Sequence, residues 1–242
     1  HVAQQAGAHI KKSVLELGGS DPYIVLSDAN VAQAAETAAI ARLQNTGQSC
    51  IASKRFIVTQ DNAANFIDKF QQAFRDFRIG HPADENTSLG PLARQDLREE
   101  LDGQVQQAIA QGARVVTGGR PLDGPGFYYE PTILTNIQPG TRLYEEEVFG
   151  PVASVYTVKD EQKAIQLAND TEFGLGAAIW SEDRERAQAV AEDIHTGTIA
   201  INGLVKSDPR MPFGGVKASG YGRELSEFGI KEFVNIKTMN IF

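Results

Sequence analysis

A chain of 242 residues is long enough to bury a sizeable core, as one large domain or two small ones. Its 23 basic against 31 acidic side chains leave a net charge of −8, which argues against a general nucleic-acid or anionic-membrane binder. No apolar run approaches the roughly 20 residues of a membrane span, and one cysteine cannot form an internal disulfide, which fits a reducing compartment. With no signal-peptide pattern at its amino end, the expected location is cytoplasmic.

In chain order, His1 to Lys12 reads as the later part of an amphipathic helix with no cap before it, so a fragment is expected. Val14–Leu17 and Tyr23–Leu26 are short apolar runs of strand length, separated by the turn cluster Gly18-Gly19-Ser20-Asp21-Pro22. Ser27 to Asn30 offers caps for an Ala-rich helix from Val31 to about Gln44. Arg55–Val58 is a strand, and Asp61 caps a helix carrying Phe66, Ile67, Phe70, Phe74 and Phe77 near helical spacing, a core face. Arg94–Gln111 is helical, stopped by Gly112 and feeding a strand to Thr117. Tyr128-Tyr129 and Thr132–Leu134 flank a turn at Pro131. Then come a strand Val152–Val158, a helix capped by Asp160, a strand Ala177–Trp180, a helix from Asp183 to about His195, and a strand Thr198–Ile201. Phe233–Phe242 alternates loosely and would make an edge strand on which another chain could add. This alternation implies an α/β fold, an open, largely parallel sheet flanked by helices.

Two stretches carry chemistry. Gln44-Asn45-Thr46-Gly47-Gln48-Ser49-Cys50 puts the single cysteine on a polar, Gly-containing loop between two regular elements. A lone cysteine is ordinarily a small buried hydrophobe. Val14-Leu15-Glu16-Leu17-Gly18-Gly19 sets Glu16 among leucines and glycines, an apolar setting that raises a carboxylate pKa and suits a general base. Thiol and carboxylate are 34 positions apart (50 minus 16) and make a plausible pair for covalent catalysis. The Gly-rich run Gly214 to Gly222 lacks the third glycine of a dinucleotide fingerprint, so it reads as a close-packed backbone turn. Scattered histidines and the absence of cysteine pairs make a zinc site, or any metal site, unexpected.

These two stretches, with Glu146-Glu147-Val148-Phe149-Gly150-Pro151-Val152, Ala168 to Leu175 and Pro212 to Leu225 in that order, resemble the aldehyde dehydrogenase superfamily. Gly18 to Pro22 and Gln44 to Gln48 look most like its succinate semialdehyde dehydrogenase branch. The resemblance implies that Cys50 is the nucleophile and Glu16 the base that activates the hydrolytic water. It further implies that Glu147 binds the nicotinamide ribose of NAD or NADP, with Phe149 and Leu17 beside that end of the cofactor. It divides the chain into the end of a dinucleotide-binding domain (1–18), a catalytic domain (19–218), a return segment (219–232) and an oligomerisation strand (233–242). Most of the dinucleotide-binding half, with an oxyanion-stabilising asparagine, would precede residue 1. A homo-oligomer, a dimer or tetramer, is implied. For a short semialdehyde carrying a carboxylate the substrate pocket wants a cation. The branch's arginine position is Gln44 here, which leaves Arg210 or Lys206 to supply charge and Phe213 to line the pocket. Other readings are an aldehyde dehydrogenase of another substrate class, a thiol acyltransferase or hydrolase using Cys50 alone, or an inactive structural module.

Overall fold

The computed structural model describes residues 1–242. A short helix α1 (Val2–Ala8) is followed by β1 (Leu15–Glu16), β2 (Pro22–Val25) and α2 (Val31–Leu43), whose amino end is capped by the Asn30 side chain accepting from the Gln33 N–H. Next come β3 (Arg55–Thr59), α3 (Gln60–Arg75), α4 (Gln95–Ala110), β4 (Arg114–Thr117), β5 (Thr132–Thr135) and a one-turn helix α5 (Arg142–Glu145). The remainder is β6 (Val152–Val158), α6 (Glu161–Asn169), β7 (Phe173–Gly174), β8 (Gly176–Trp180), α7 (Arg184–Glu192), β9 (Thr198–Ile201), β10 (Val216–Lys217), β11 (Gly220–Tyr221) and α8 (Ser226–Glu232).

Seven strands form one sheet in the order β4-β5-β6-β3-β2-β8-β9, parallel throughout except for the antiparallel β4–β5 pair. Helices cover both faces, so the central strands are apolar on both sides, as parallel sheets require. In β2, Tyr23 and Val25 join the core under α2 and α3, while Ile24 and Leu26 face the core shared with α4, α6 and α7. Strand β3 splits in the same way, Phe56 and Val58 against Ile57. The phenylalanines of α3 are core, as expected. The Phe70 ring centroid lies 4.7 Å from Phe56, 5.2 Å from Phe66 and 4.6 Å from Phe74. Truncating this hub, Phe70→Ala, is expected to cost about 3–5 kcal/mol, read as a lower urea midpoint with an unchanged slope.

Several expected boundaries shift. Helix α1 stops at Ala8 because Ile10 takes a left-handed φ of 55°. Helix α7 ends at Glu192, and α3 is entered through Thr59, with Asp61 inside its first turn. Tyr129 makes only a single bridge, to Pro121. Within the single chain Phe233–Phe242 forms no strand. A strand needs a hydrogen-bonded neighbour, and here Phe233, Val234, Ile236, Met239, Ile241 and Phe242 are all exposed. No helix is long and apolar enough to cross a membrane.

Candidate active site

The segments holding the expected site residues all lead into parallel strands. Leu17 to Asp21 enters β2, Gln44 to Lys54 enters β3, Glu146 to Pro151 enters β6 and Phe173 to Leu175 enters β8. They therefore gather at the amino-terminal edge of the sheet, where register sets Pro22 beside Arg55 and Arg55 beside Ser154. Open α/β sheets ordinarily bind ligands at the carboxyl edge, so this siting is a departure.

The cysteine loop is strained into place. Asn45, Thr46 and Gly47 have φ of 50°, 57° and 73°, three consecutive left-handed residues. Asparagine tolerates that region, whereas β-branched threonine does not favour it. The turn is held by Asn45 Nδ2 donating to the Gln48 carbonyl (2.8 Å) and Thr46 Oγ1 donating to the Gly90 carbonyl (3.2 Å). Gly47 is required, because a Cβ there would strike the Gly150 carbonyl and the Arg42 guanidinium. Strain of this kind costs about 1–3 kcal/mol per residue and gathers at functional sites. Beyond the turn, Cys50 is half-buried, and burial pushes its thiol up, opposed by the Lys54 ammonium.

Glu16 is brought to the same edge by a different device. Strand β1 pairs with β11, Glu16 opposite Gly220, and a Cβ on Gly220 would strike the Leu15 carbonyl. Ser219, fully buried, donates through Oγ to the Gly18 carbonyl (2.6 Å) and accepts from the Gly174 N–H (3.0 Å). The Gly214–Gly222 run is thus a close-packed turn, as expected, and it closes over Glu16. Phe213 exchanges two backbone hydrogen bonds with Glu224 (2.9 and 2.7 Å), and a Cβ on the next residue, Gly214, would lie 3.2 Å from Glu16 Oε1. That oxygen is buried with no hydrogen-bond partner. Burial and then the Glu224 carboxylate push the Glu16 pKa up, opposed by the Gly215 N–H and Arg223. A raised carboxyl with an unpartnered buried oxygen suits a base that must still find a water.

Glu147 completes the cluster. Its Oε1 accepts from the Gly19 N–H (3.0 Å) and lies 3.4 Å from Lys54 Nζ. A Cβ on Gly18 would stand 2.5 Å from its Oε2, and one on Gly19 would stand 2.6 Å from the Cys50 carbonyl oxygen. The paired glycines therefore let the segment after Glu16 lie directly against the Glu147 carboxylate and the Cys50 backbone. Leu17 is 50% exposed beside this cluster, and Phe149 is half-buried.

The expected substrate residues divide. Phe213 immediately precedes Gly214, the residue that lies against Glu16. Gln44 ends α2 and turns Nε2 back on the Ala41 carbonyl (3.4 Å). Arg210, expected to supply charge, is 85% exposed and forked onto Asp208 at 2.6–3.2 Å. Lys206 is exposed on the same loop.

Sequence reasoning passed over the buried ions under this cluster. Asp21 accepts from the Gly176 N–H (3.0 Å), and burial pushes its carboxyl up to about 6. Arg55 donates to the Ser20, Leu167 and Ala168 carbonyls (2.9, 2.7 and 2.8 Å), tying the entry of β2 to the carboxyl end of α6. Arg42 and Lys54 are fully buried too. The available signal was Lys54-Arg55, two cations opening an otherwise apolar strand four residues after Cys50. A groove of about 770 Å³ runs along α6, lined by Thr157, Lys163, Leu167 and Asp170, and no residue of this cluster lines it.

Comparison with known proteins identifies the family. A profile described as the Aldehyde dehydrogenase family matches residues 1–239. A probable succinate-semialdehyde dehydrogenase (NADP(+)) of Synechocystis is 51% identical over 237 residues, covering 98% of this chain and 52% of that protein. The Escherichia coli succinate semialdehyde dehydrogenase (NAD(P)+) Sad is 50% identical over 238 residues, covering 98% of this chain and 52% of that protein. The crystal structure of succinic semialdehyde dehydrogenase from Streptococcus pyogenes, in complex with NADP+, superposes with a TM-score of 0.94 at 42% identity, covering 99% of this chain and 53% of that one. The chain spans about half the length of the curated relatives it matches.

Proposed function

The chain belongs to the aldehyde dehydrogenase family, and on that premise we propose that it is the nucleophile-bearing part of an NAD(P)-dependent enzyme oxidising succinate semialdehyde to the acid. The observation that carries this reading is the meeting of the Cys50, Glu16 and Glu147 segments at one edge of the sheet through Gly18 and Gly19. An aldehyde gives up hydride poorly from its sp² carbon. Attack by the Cys50 sulfur forms a C–S bond and a tetrahedral thiohemiacetal, whose oxyanion can accept from the Cys50 N–H. Loss of hydride leaves a thioester. Glu16 then takes a proton from water, the hydroxide adds to the thioester carbon, the C–S bond breaks, and the carboxylic acid leaves as the thiolate is restored.

The dinucleotide supplies the hydride acceptor when bound. The residues present fit its nicotinamide end: Glu147 commits Oε1 to Gly19 and Lys54 and keeps Oε2 able to accept from a ribose hydroxyl. Phe149 and Leu17 would flank the ring. Succinate semialdehyde as substrate is supported by the names of the relatives. A thiol hydrolase is the poorer reading, since no histidine neighbours the thiol.

Cofactor affinity in dinucleotide folds comes chiefly from a Gly-rich turn and helix amino end gripping the pyrophosphate, and no such motif occurs in residues 1–242. A few contacts at the nicotinamide end do not offset the lost freedom of the ligand. This chain alone is therefore expected to bind NAD and NADP weakly or not at all in calorimetry and to show no turnover. Low-micromolar affinity for either would mean that the cofactor site is misplaced. The whole protein, carrying its dinucleotide-binding half, is expected to reduce NADP or NAD with succinate semialdehyde; failure with that aldehyde but success with an uncharged one would move the substrate class. The apolar residues from Phe233 to Phe242 would join subunits, a reading that a strictly monomeric whole protein in light scattering would refute.

A further inference from the structure

Lys54 is 1% exposed, and nothing in the proposed chemistry uses it. Its ammonium donates to the carbonyls of Ser49 (3.0 Å) and Cys50 (2.7 Å) and stands 3.4 Å from Glu147 Oε1, which also holds the Gly19 N–H. One cation thus ties together the segments that enter β2, β3 and β6.

The two carbonyls matter because a trans peptide points its C=O and the following N–H in opposite directions. All peptides here are trans. Drawing the Ser49 carbonyl inward to Nζ turns the Cys50 N–H away from Lys54, and drawing in the Cys50 carbonyl does the same for the Ile51 N–H. Neither N–H donates to a backbone carbonyl. The Ile51 N–H favours the Cys50 thiolate.

We propose that Lys54 is a positioning residue, which by gripping the Ser49 and Cys50 carbonyls aims the Cys50 and Ile51 N–H groups at the reacting sulfur and its oxyanion. A neutral residue of the same bulk would leave the part-buried Cys50 carbonyl without a donor and its peptide plane free to turn, and would leave the Ser49 carbonyl held by the Ala52 N–H (3.1 Å) alone. The charge acts in the same direction as the geometry, since a cation this close favours the thiolate. The groups that face the ammonium are Arg42 from α2, Asp21 before β2, Glu147 before β6, and Cys50 itself; burial and Arg42 push Lys54 down to about 8, while Asp21 and Glu147 oppose this. As pH rises through that value the cation is lost, and the thiol becomes harder to ionise. The thiol should therefore ionise over a wider pH range than one proton explains.

The inference rests on Cys50 being the nucleophile, but alkylation reads the thiol directly and needs no turnover. The test is the rate of iodoacetamide alkylation against pH, followed by intact mass, on this single-cysteine chain. For Lys54→Met, folded by circular dichroism, the midpoint is expected to rise by about one pH unit and the rate at neutral pH to fall about tenfold. Lys54→Arg, which keeps a charged donor, should restore most of it. The unsubstituted chain should give a profile shallower than a one-proton curve, and in urea a simple one-proton curve. A folded Lys54→Met variant whose profile overlays the parent would overturn the inference. If that variant does not fold, a native profile as steep as the one in urea overturns it and a shallower one supports it. Failure of the catalytic reading looks different: alkylation responds to Lys54, yet Cys50→Ser leaves turnover of the whole protein intact.

Discussion

In the whole protein, Cys50→Ala is expected to lower aldehyde oxidation at least about 10³-fold, the scale of losing a covalent nucleophile. Cys50 is the single thiol of the chain, and a neighbouring hydroxyl such as Ser49 is a much weaker nucleophile than a thiolate. The fold should survive. Cys50 is only half-buried, and its loop is held by contacts that do not involve sulfur: the Asn45 and Thr46 side-chain bonds, and Lys54 on the Ser49 and Cys50 carbonyls. A normal urea midpoint beside lost activity would separate chemistry from folding. Reduced nicotinamide is the readout, and activity within tenfold of the parent would sink the assignment. Because burial pushes the thiol up, the rate of adduct formation should also climb with pH through neutrality.

The sheet was legible in the sequence because its strands are nearly all apolar, and its helices carry caps such as Asn30, Asp160 and Asp183, whose side chains do accept from the first turn. The small pairings β1–β11 and β7–β10 were not legible as partners. Each is only two residues long, too short for alternation, and rests on distant glycines and Ser219. Cys50 and Glu16 were visible through their flanking residues. What supports them was not, because a buried Lys54 or Asp21 reads in sequence like any surface charge until the fold surrounds it. The left-handed run Asn45–Gly47 was foreshadowed only by its Asn and Gly, since threonine at φ 57° runs against local preference. The Phe233–Phe242 tail is a different case: its pattern suits a strand, but the single chain offers it no edge to pair with.

Glu16→Gln is expected to leave thioester formation intact and slow its hydrolysis about 10²–10⁴-fold, the usual scale of general-base catalysis. The trace should show a pre-steady-state burst of reduced nicotinamide, followed by slow turnover. Glutamine keeps the shape of the side chain between β1 and the Gly214–Gly222 turn but cannot take a proton from water. Burial and the Glu224 carboxylate raise the Glu16 pKa above its ordinary value. The base is active only as the carboxylate, so steady-state turnover should fall as pH drops through that raised pKa, at a higher pH than an ordinary glutamate would give. The burst does not need Glu16 and should not share this acid limb. Removing the repelling charge with Glu224→Gln lowers the Glu16 pKa and should carry the limb to lower pH, while Arg223→Gln removes an opposing cation and should carry it higher. If Glu16→Gln abolishes burst and turnover equally, Glu16 acts before the thioester forms, as the base that deprotonates Cys50. If turnover is unchanged, another group activates the water, and the unpartnered Oε1 beneath Gly214 is an ordinary buried carboxyl with no part in the chemistry.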